Sequence, residues 1–432
     1  IGSHVKVDPI FGQPRHGQKN EGGQSFEEMC CWCVSGVGAT KVLQDMYTVQ
    51  SDDLASKKLL AGEIRDDPSD IHIDGTNNSD FIMQAFIRSM GCELTTVENG
   101  YEFSPLTDEM IRSLSSIPVD HVDNLHSTVI FGDASRPEMG IRNRSKWGYI
   151  DLKCEIIHPT WIVKGSLDKL ILCRYKREIN IDSEKAPEEM PLGKISKDRL
   201  AAIIRSEVLV KLPEDGTRLP FVVLIDSKIL GTLTEKEREQ YRTGMSALVE
   251  IFKRIDVRAT RDYYQRLIDK KVDNGEEADS GVIESLHYCD TFLASHSDSG
   301  ETSLAEYVIS AFPVMPQSFR PIMKNLNVNG VPDFDWHYKQ ILNAVSDVKN
   351  KNKSQDSLLN LYRTISIFIG YEKVDRLEYQ TVLLWFYGHN STNKNHGKIR
   401  EAVQKKRTIC SGRSVIIPMQ NVQMKPTEIG VP

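Results

Sequence analysis

Apolar residues in the N-terminal quarter of the chain recur mainly at helical spacing. This pattern predicts a helix within residues 26–48, because side chains three or four positions apart share one helix face. The same spacing predicts a helix at 79–90, just before Gly91, and a short helix at 105–116 with a proline in its first turn. Residues 1–25, rich in glycine and charge, are expected to be irregular.

The pattern changes in the middle of the chain. Residues 126–175 alternate apolar and polar positions and contain β-branched runs, which predicts strands. A charged, proline-containing stretch at 182–195 has the composition of a surface linker. Residues 197–310 are predicted to be mostly helical, with a strand at 221–225 and a break between two helical stretches at 273–281.

Two long amphipathic patterns follow an irregular, proline- and asparagine-rich stretch at 312–333. They predict helices at 334–349 and 356–388, joined by a polar, charged tip at 350–354. A short connection between two such helices favours an antiparallel hairpin. A polar loop is expected at 389–397.

The composition indicates a globular protein with a substantial core. The chain has 432 residues, of which 40% are hydrophobic and 26% charged. Its net charge of -6 means that any binding of nucleic acid must come from local basic patches, since a nucleic-acid-binding domain is usually basic. The spacing of the eight cysteines does not suggest a disulfide framework, which indicates a reducing compartment. No signal peptide and no apolar run long enough to span a bilayer is visible in the sequence.

Three thiols close together, Cys30, Cys31 and Cys33, could begin a zinc site. They lie in the apolar pattern of a predicted helix, however, and no second close cysteine pair follows. Cys92 is about sixty residues away. Buried structural cysteines are therefore the favoured interpretation.

Asp333 and Asp335 have the residue type that holds catalytic Mg²⁺, but a helical pattern follows them. One of the two is better placed as a helix N-cap. His158, which precedes a proline, is interpreted as a packed or turn residue. No sequence motif assembles a nucleophile, a base and an oxyanion hole.

The densest basic run lies near the C-terminus, where only Glu401 opposes it. Such a run suits contacts with phosphate, and the plainer interpretation is a solvated helix face. The basic residues are Lys398, Arg400, Lys405, Lys406, Arg407 and Arg413.

Together with Ser-Gly-Arg-Ser-Val-Ile at 411–416, the tail residues 398–400 and 405–407 resemble a segment of the RNA polymerase β′ subunit that ends in this last string. In that family the segment is switch 2, which lies under the template strand. Residues 312–321 resemble the β′ string that leads into the lid, and 147–161 resemble another β′ region. Residues 111–114 and 131–132 resemble the start of β′. The four-cysteine zinc finger of β′ has no counterpart in this sequence, because the gap after Gly132 is short and contains no cysteine.

The first hundred residues resemble the C-terminal end of the β subunit instead. The similarity is carried by residues 22–29, 43–46 and 48–53, and it departs at Ser25, where the family has arginine. The chain therefore resembles the end of β joined to the beginning of β′, a split similar to that in polymerases of giant tailed phages. The cysteines at 30–33 occupy core helix positions of the β pattern.

The resemblance implies an α+β fold made of clamp segments: a mostly helical molecule with small sheets and a helical hairpin, the clamp coiled coil. It predicts the following segments: a β-like clamp base at 1–100, a β′-like segment at 101–180, a helical clamp body at 181–311, the lid, coiled coil and rudder at 312–397, and a switch 2-like tail at 398–432.

The resemblance also implies a function. The chain would be a non-catalytic clamp subunit that helps hold DNA and the RNA–DNA hybrid, gates the clamp and docks a promoter-specificity factor. The catalytic aspartate loop and its Mg²⁺ would lie on a partner subunit, with no cofactor on this chain. The predicted nucleic-acid contacts are the six basic residues named above, with Arg320 and Lys324 near the lid. The predicted partner-binding residues are Trp336, Tyr338, Lys339, Asn350, Lys351 and Lys353.

The implied partners are the other polymerase subunits, the specificity factor and template DNA with its hybrid, and no membrane. The expected location is the cytoplasm of an infected bacterium or a virion. Two alternatives stay open: an assembly subunit of the same complex that never touches nucleic acid, and an unrelated enzyme whose matches arise by chance.

Overall fold

We analysed a computed structural model of the chain. It describes residues 6–8, 11–66, 75, 77–97, 100–114, 117–121, 125, 147–163, 167–176, 192–213, 216–232, 234–297, 299–316, 320, 333–351, 353–372, 381–387, 397 and 399–409. The helices within these ranges are α1 (Glu28–Gly36), α2 (Thr40–Tyr47), α3 (Leu54–Asp66), α4 (Asn78–Ser89), α5 (Asp108–Leu114), α6 (Pro159–Val163), α7 (Leu167–Leu170), α8 (Lys197–Ile204), α9 (Glu235–Glu239), α10 (Gly244–Arg254), α11 (Val257–Asp273), α12 (Ser280–Ser295), α13 (Phe334–Asn350), α14 (Gln355–Ile369) and α15 (Val382–Tyr387).

Strands alternate with these helices, so the described residues form an α+β fold, as predicted. The strands are β1 (Gln24–Phe26), β2 (Cys92–Val97), β3 (Gly100–Pro105), β4 (Ile117–Pro118), β5 (Gly148–Ile157), β6 (Leu172–Lys176), β7 (Gly193–Lys194), β8 (Val208–Lys211), β9 (Val222–Asp226), β10 (Tyr241–Arg242), β11 (Val308–Val314) and β12 (Lys406–Thr408). Among the described residues, no helix is both long and apolar enough to cross a membrane.

The chain forms two compact units. Unit 1 comprises Ile1–Ile82 and Asn395–Pro432, and unit 2 comprises Met83–Lys394. In unit 1, β1 and β12 pair as an antiparallel two-stranded sheet. The two ends of the chain therefore belong to the same unit.

Within the part of unit 2 that the structure describes, the strands form three separate sheets. The largest has the strand order β10-β8-β9-β6-β7, in which β6 and β9 run parallel. The second has the order β11-β5-β4, and the third is the antiparallel pair β2-β3. Along β5 the inward positions Ile150, Leu152, Cys154 and Ile156 are buried, because successive strand residues face opposite sides.

The core of unit 2 lies where the second sheet meets α10, α13 and α14. An aromatic cluster fills it: the Phe368 ring lies 5.7 Å from those of Phe312 and Phe334 and 5.4 Å from that of Tyr338. These side chains are almost completely buried. Fully burying such a ring stabilises the fold by about 1.5–3 kcal/mol.

Several predicted elements are confirmed. The helix before Gly91 is α4, and the break at 273–281 separates α11 from α12. Asp333 is the N-cap of α13, where its side chain accepts a hydrogen bond from the backbone N–H of Trp336. The short helix at 105–116 is α5, although it begins only at Asp108 because Pro105 ends β3.

Other predictions need correction. The single helix within 26–48 is two helices, α1 and α2, separated at residues 37–39, and Phe26 ends a strand. The helix at 356–388 ends at Ile369, and α15 is a separate element. The region 197–310 contains β8, β10 and part of β11 besides the one predicted strand. The loop at 389–397 lies outside the described residues, apart from residue 397.

Candidate nucleic-acid interface

The described part of the basic tail forms a π-helical turn, Ile399–Gln404, followed by β12. In the β1–β12 pair, Gln24 lies opposite Thr408, Ser25 opposite Arg407 and Phe26 opposite Lys406. Ser25 is the position at which the sequence departs from the β pattern. The tail motif and the glycine-rich motif therefore meet in one antiparallel ladder.

Gly23 allows this close approach, and Gly22 allows a second one, between the glycine-rich motif and the N-terminal segment. A Cβ atom on Gly23 would lie 2.0 Å from the backbone oxygen of Thr408. A Cβ atom on Gly22 would lie 1.7 Å from the backbone oxygen of Arg15. Because neither backbone oxygen can move without breaking the local structure, only glycine fits at these positions.

Lys406 lies inside unit 1. Its side chain and that of Asp52 are both fully buried, and its Nζ atom donates to Asp52 Oδ2 at 2.5 Å. The same Nζ donates to the side-chain oxygen of Asn77 at 2.7 Å. Burial lowers the pKa of Lys406, and the charge of Asp52 opposes that shift. The ammonium of Lys406 is therefore engaged within the protein and turned away from solvent.

The acid partner of Lys406 is itself fixed. Asp52 Oδ2 accepts hydrogen bonds from the backbone N–H of Ser79 at 2.8 Å and from its hydroxyl at 2.5 Å. The Gln13 side chain donates to the same Ser79 hydroxyl at 2.8 Å and to the backbone oxygen of Ala402 at 2.5 Å. A buried polar network extends from the N-terminal segment through Asp52 to the tail.

The neighbouring basic residues are more accessible. Lys405 is partly exposed and forms an ion pair with Glu27 at 3.1 Å. Arg407 is half-buried and donates to the backbone oxygen of Pro14 at 3.2 Å. Arg400 is exposed. The remaining predicted contact residues of the tail and lid, Lys398, Arg413 and Lys324, lie outside the described residues, as do residues 411–416.

Arg320, in unit 2, is 4% exposed. Its guanidinium forms an ion pair with Asp335 and donates to the backbone oxygen of Leu125 at 2.5 Å. It also lies 5.9 Å from the ring centre of Tyr338. In this conformation Arg320 supports the start of α13.

The predicted partner-binding residues separate into two groups. Tyr338 is fully buried, with its hydroxyl accepting from the backbone N–H of Met315, and Trp336 is half-buried. The others, Lys339, Asn350, Lys351 and Lys353, are exposed on the α13–α14 hairpin.

At the tip of the hairpin, a hollow of about 320 Å³ is lined by Lys153, Val348, Lys349 and Lys353. Asp151 pairs with Lys153 at 2.9 Å. Lysines supply three of the four lining residues, so this end of the hairpin presents mainly positive charge.

The cysteine prediction is wrong for α1. Cys30 and Cys33 are exposed and Cys31 is partly exposed, since no residue of α1 is buried. The sulfur of Cys31 lies 2.8 Å from the hydroxyl of Tyr47. Met29 and Trp32 are 68% and 62% exposed, so the apolar surface of α1 is uncovered in this chain. No group of three or more ligand-type side chains suited to a metal ion occurs among the described residues.

His158 is a packed residue, as predicted. It is completely buried, its Nε2 donates to the backbone oxygen of Met90 at 2.6 Å, and the backbone N–H of Thr160 donates to Nδ1 at 3.3 Å. A carbonyl can only accept, so the hydrogen bonds require the neutral ring with its proton on Nε2. Burial lowers the pKa of His158 to about 4.

The partners of the tail were missed by sequence reasoning. Asp52 belongs to a motif that supported the resemblance to β, but it lies 354 positions from Lys406. No local spacing joins residues so far apart. The only available signal was the presence of an acidic pair, Asp52 and Asp53, in one motif and of a lysine run in the other.

Comparison with known proteins gives partial matches to RNA polymerase β subunits, while no protein-family model matches the chain. The chain is 31% identical over 119 residues to the "DNA-directed RNA polymerase subunit beta" of Rhodomonas salina. The aligned region covers 27% of this chain and 10% of that protein. The corresponding protein of Mycoplasmopsis synoviae (strain 53) is 30% identical over 112 residues, 26% of this chain and 9% of that protein. That of Euglena longa is 46% identical over 51 residues, 12% of this chain and 5% of that protein. The matches thus span a tenth or less of the length of these relatives.

Proposed function

We propose that this chain is a non-catalytic clamp subunit of a split, multisubunit DNA-dependent RNA polymerase. In this role it holds template DNA and the RNA–DNA hybrid and takes part in clamp gating. The partners are the remaining parts of β and β′, one of which carries the catalytic aspartate loop and its Mg²⁺.

One observation carries the proposal: β1 pairs with β12. The motif around β1 resembles the end of β, and partial identity to β subunits supports that half of the comparison. The segment around β12 resembles the start of switch 2 in β′. Two chance matches more than 350 residues apart have no reason to form one antiparallel ladder with a shared buried ion pair.

The nucleic-acid contact comes from the tail residues whose cations reach solvent. Arg400 is exposed, and Lys405 and Arg407 are partly so. Lys398 and Arg413, which lie outside the described residues, are added to the proposed contacts on the sequence alone. Contacts of this kind bind backbone phosphates without reading bases, so they position the strand and do not select a promoter.

The helical hairpin α13–α14 is the proposed docking element for a promoter-specificity factor. Its exposed face carries Lys339, Lys351 and Lys353, and the lysine-lined hollow lies at its tip. A protein that docks there needs an acidic surface, because complementary charge favours association.

A second function is favoured by one observation: two of the proposed contact residues are buried in ion pairs. Lys406 and Arg320 form internal ion pairs. A subunit that only assembles the complex, and never touches nucleic acid, would use its basic residues in this way.

Alanine substitutions of two tail arginines distinguish the two functions. We expect Arg400→Ala and Arg413→Ala, each in the copurified complex, to weaken DNA binding. Each should lower the slope of log affinity against log salt by about one, because one phosphate contact is lost. Lys270→Ala, which removes an exposed lysine of α11, is the matched control and should leave the slope unchanged.

The assembly function predicts a different outcome. The arginine variants would lower the yield of complex while DNA affinity per assembled complex stays at the wild-type value. That result would remove the claim of a nucleic-acid contact.

A further inference from the structure

We infer that Lys406 is a positioning residue: Asp52 and Asn77 hold its ammonium inside unit 1 and so fix the register of the basic tail on the β-like segment. For its consequence in transcription, this inference rests on the proposed function. The anchoring itself does not, and it can be tested on the chain alone.

The geometry favours anchoring over phosphate contact. The side chains of Lys406 and Asp52 have no solvent exposure. The ammonium makes two short hydrogen bonds, to Asp52 and Asn77, and Asp52 is held in turn by Ser79. A phosphate could reach this ammonium only if unit 1 opened.

Contacts on both sides of Lys406 hold the same stretch of chain. Before it, the backbone oxygen of Ala402 accepts from Gln13, and that of Gln404 accepts from Tyr47 at 3.3 Å. After it, the backbone N–H of Ile409 donates to the oxygen of Gln50 at 2.8 Å. The motif that contains Gln50 and Asp52 thus holds the tail in two ways: through the Asp52 side chain and through a hydrogen bond to the backbone of Gln50.

A register marker is needed because three basic residues, Lys405, Lys406 and Arg407, stand in sequence. Successive strand residues face opposite sides, so a slip of one position would turn a neighbouring cation inward. Only a lysine at position 406 places its charge against Asp52 with the observed pairing of β1 and β12. Setting register is the best-attested use of a buried polar or ionic group.

The register has a functional consequence. With Lys406 inward, its chain neighbours Lys405 and Arg407 keep their charges near the surface. The chain then leaves β12 at a fixed point just before the switch 2-like residues 411–416. Lys406 therefore acts on the template through its neighbours.

Two single variants and their double variant test whether the Lys406–Asp52 pair anchors the tail. Lys406→Met alone leaves a buried, unpaired carboxylate, and Asp52→Asn alone leaves a buried, unpaired ammonium. The double variant removes both charges, while the Asn oxygen can still accept from Ser79. Lys41→Met, on an exposed lysine of α2, is the matched control.

The first measurement is hydrogen exchange of tail residues 399–409 in the full-length chain. We expect Lys406→Met to speed exchange on the order of a hundredfold, because breaking a buried pair leaves an uncompensated charge. The double variant should return to within about tenfold of wild type. Equal exchange in the single and double variants would overturn the anchor. If a single variant fails to fold, the double variant and the control still decide the matter.

The second measurement is DNA binding by the copurified complex at several salt concentrations. Positioning predicts weaker binding for Lys406→Met, recovery in the double variant and an unchanged salt slope. A direct phosphate contact predicts a slope lower by about one in both variants, and that would overturn the inference. If the complex binds no DNA even as wild type, the proposed function fails, and hydrogen exchange still reports on the anchor.

Discussion

Single buried polar residues in this chain show how far a side chain's role depends on partners that are distant in sequence. Lys406 belongs to a basic run that predicts phosphate contacts, yet its ammonium is buried against Asp52. Arg320 likewise lies against Asp335 and Leu125. In both cases the charge was evident from the sequence, and the direction of the side chain was not.

His158 gives a testable pH dependence at the same scale. Its folded pKa of about 4 lies below the ordinary value of 6.5. Between these two pH values the unfolded chain binds a proton at His158 and the folded chain does not. The free energy of unfolding should therefore fall as the pH drops from about 6.5 towards 4. The full loss is ~3 kcal/mol at 1.36 kcal/mol for each pKa unit.

Urea unfolding at several pH values between 7 and 4.5 measures this effect. His158→Gln should be less stable at pH 7, since its hydrogen bonds are disturbed, but its pH dependence should be flatter than that of wild type. His287→Gln, on an exposed histidine, is the control. Parallel pH curves for wild type and His158→Gln would contradict the assignment.

At the scale of elements, the end of α14 was the clearest difference between pattern and structure. Apolar spacing predicted one helix from 356 to 388, but α14 ends at Ile369 with Gly370 as its C-cap. Gly370 has φ +117°, a conformation open to glycine and costly for other residues. Spacing did not reveal this stop, because apolar residues continue beyond it in the sequence and make up all of α15.

Gly370→Ala tests whether the end of α14 requires glycine at this position. An added Cβ would lie 2.6 Å from the Thr381 hydroxyl and 3.2 Å from the Cβ of Leu383, in addition to the backbone strain. We expect a loss of ~2–3 kcal/mol in the free energy of unfolding.

Gly275 provides the matched control for this substitution. It lies just after α11 with φ +72° and open space around it, so Gly275→Ala should cost only the strain, ~1 kcal/mol. Equal losses in the two variants would show that the contact with Thr381 does not matter.

The α1 helix makes a related point about elements. The β-like pattern suggested core positions for Cys30 and Cys33, but α1 has no buried residue in this chain. A helical pattern identifies an apolar face. Whether that face is covered depends on what lies against it.

For the whole molecule, the proposed function predicts a division of labour between chains. With Mg²⁺ and nucleotides, the isolated chain should synthesise no RNA, because the proposal assigns the catalytic aspartate loop to a partner. The copurified complex should synthesise RNA on a suitable template. Mass spectrometry of an active complex should identify a partner with the three-aspartate loop.

Two results would contradict this proposal. RNA synthesis by the isolated chain would show that it carries its own metal site. An active complex without any partner that bears the aspartate loop would rule out the split-subunit arrangement.

The sequence alone was sufficient for features set by local chemistry. The helix before Gly91, the break between α11 and α12 and an aspartate N-cap at 333 or 335 follow from spacing, turn residues and capping within a few positions. The α+β class was expected from the resemblance to β and β′. The motifs that resemble β and β′ are likewise contiguous strings. All of these depend on neighbours in the chain, which a linear pattern records.

Only the tertiary structure determined which of the motifs contact one another. The pairing of β1 with β12, the close approach at Gly23 and the burial of Lys406 against Asp52 join segments from opposite ends of the chain. Opposite charges in the two segments were the only hint that they pair, because strand pairing and a buried ion pair depend on distance in space. The inward turn of one lysine in a run of three basic residues is therefore a property of the fold.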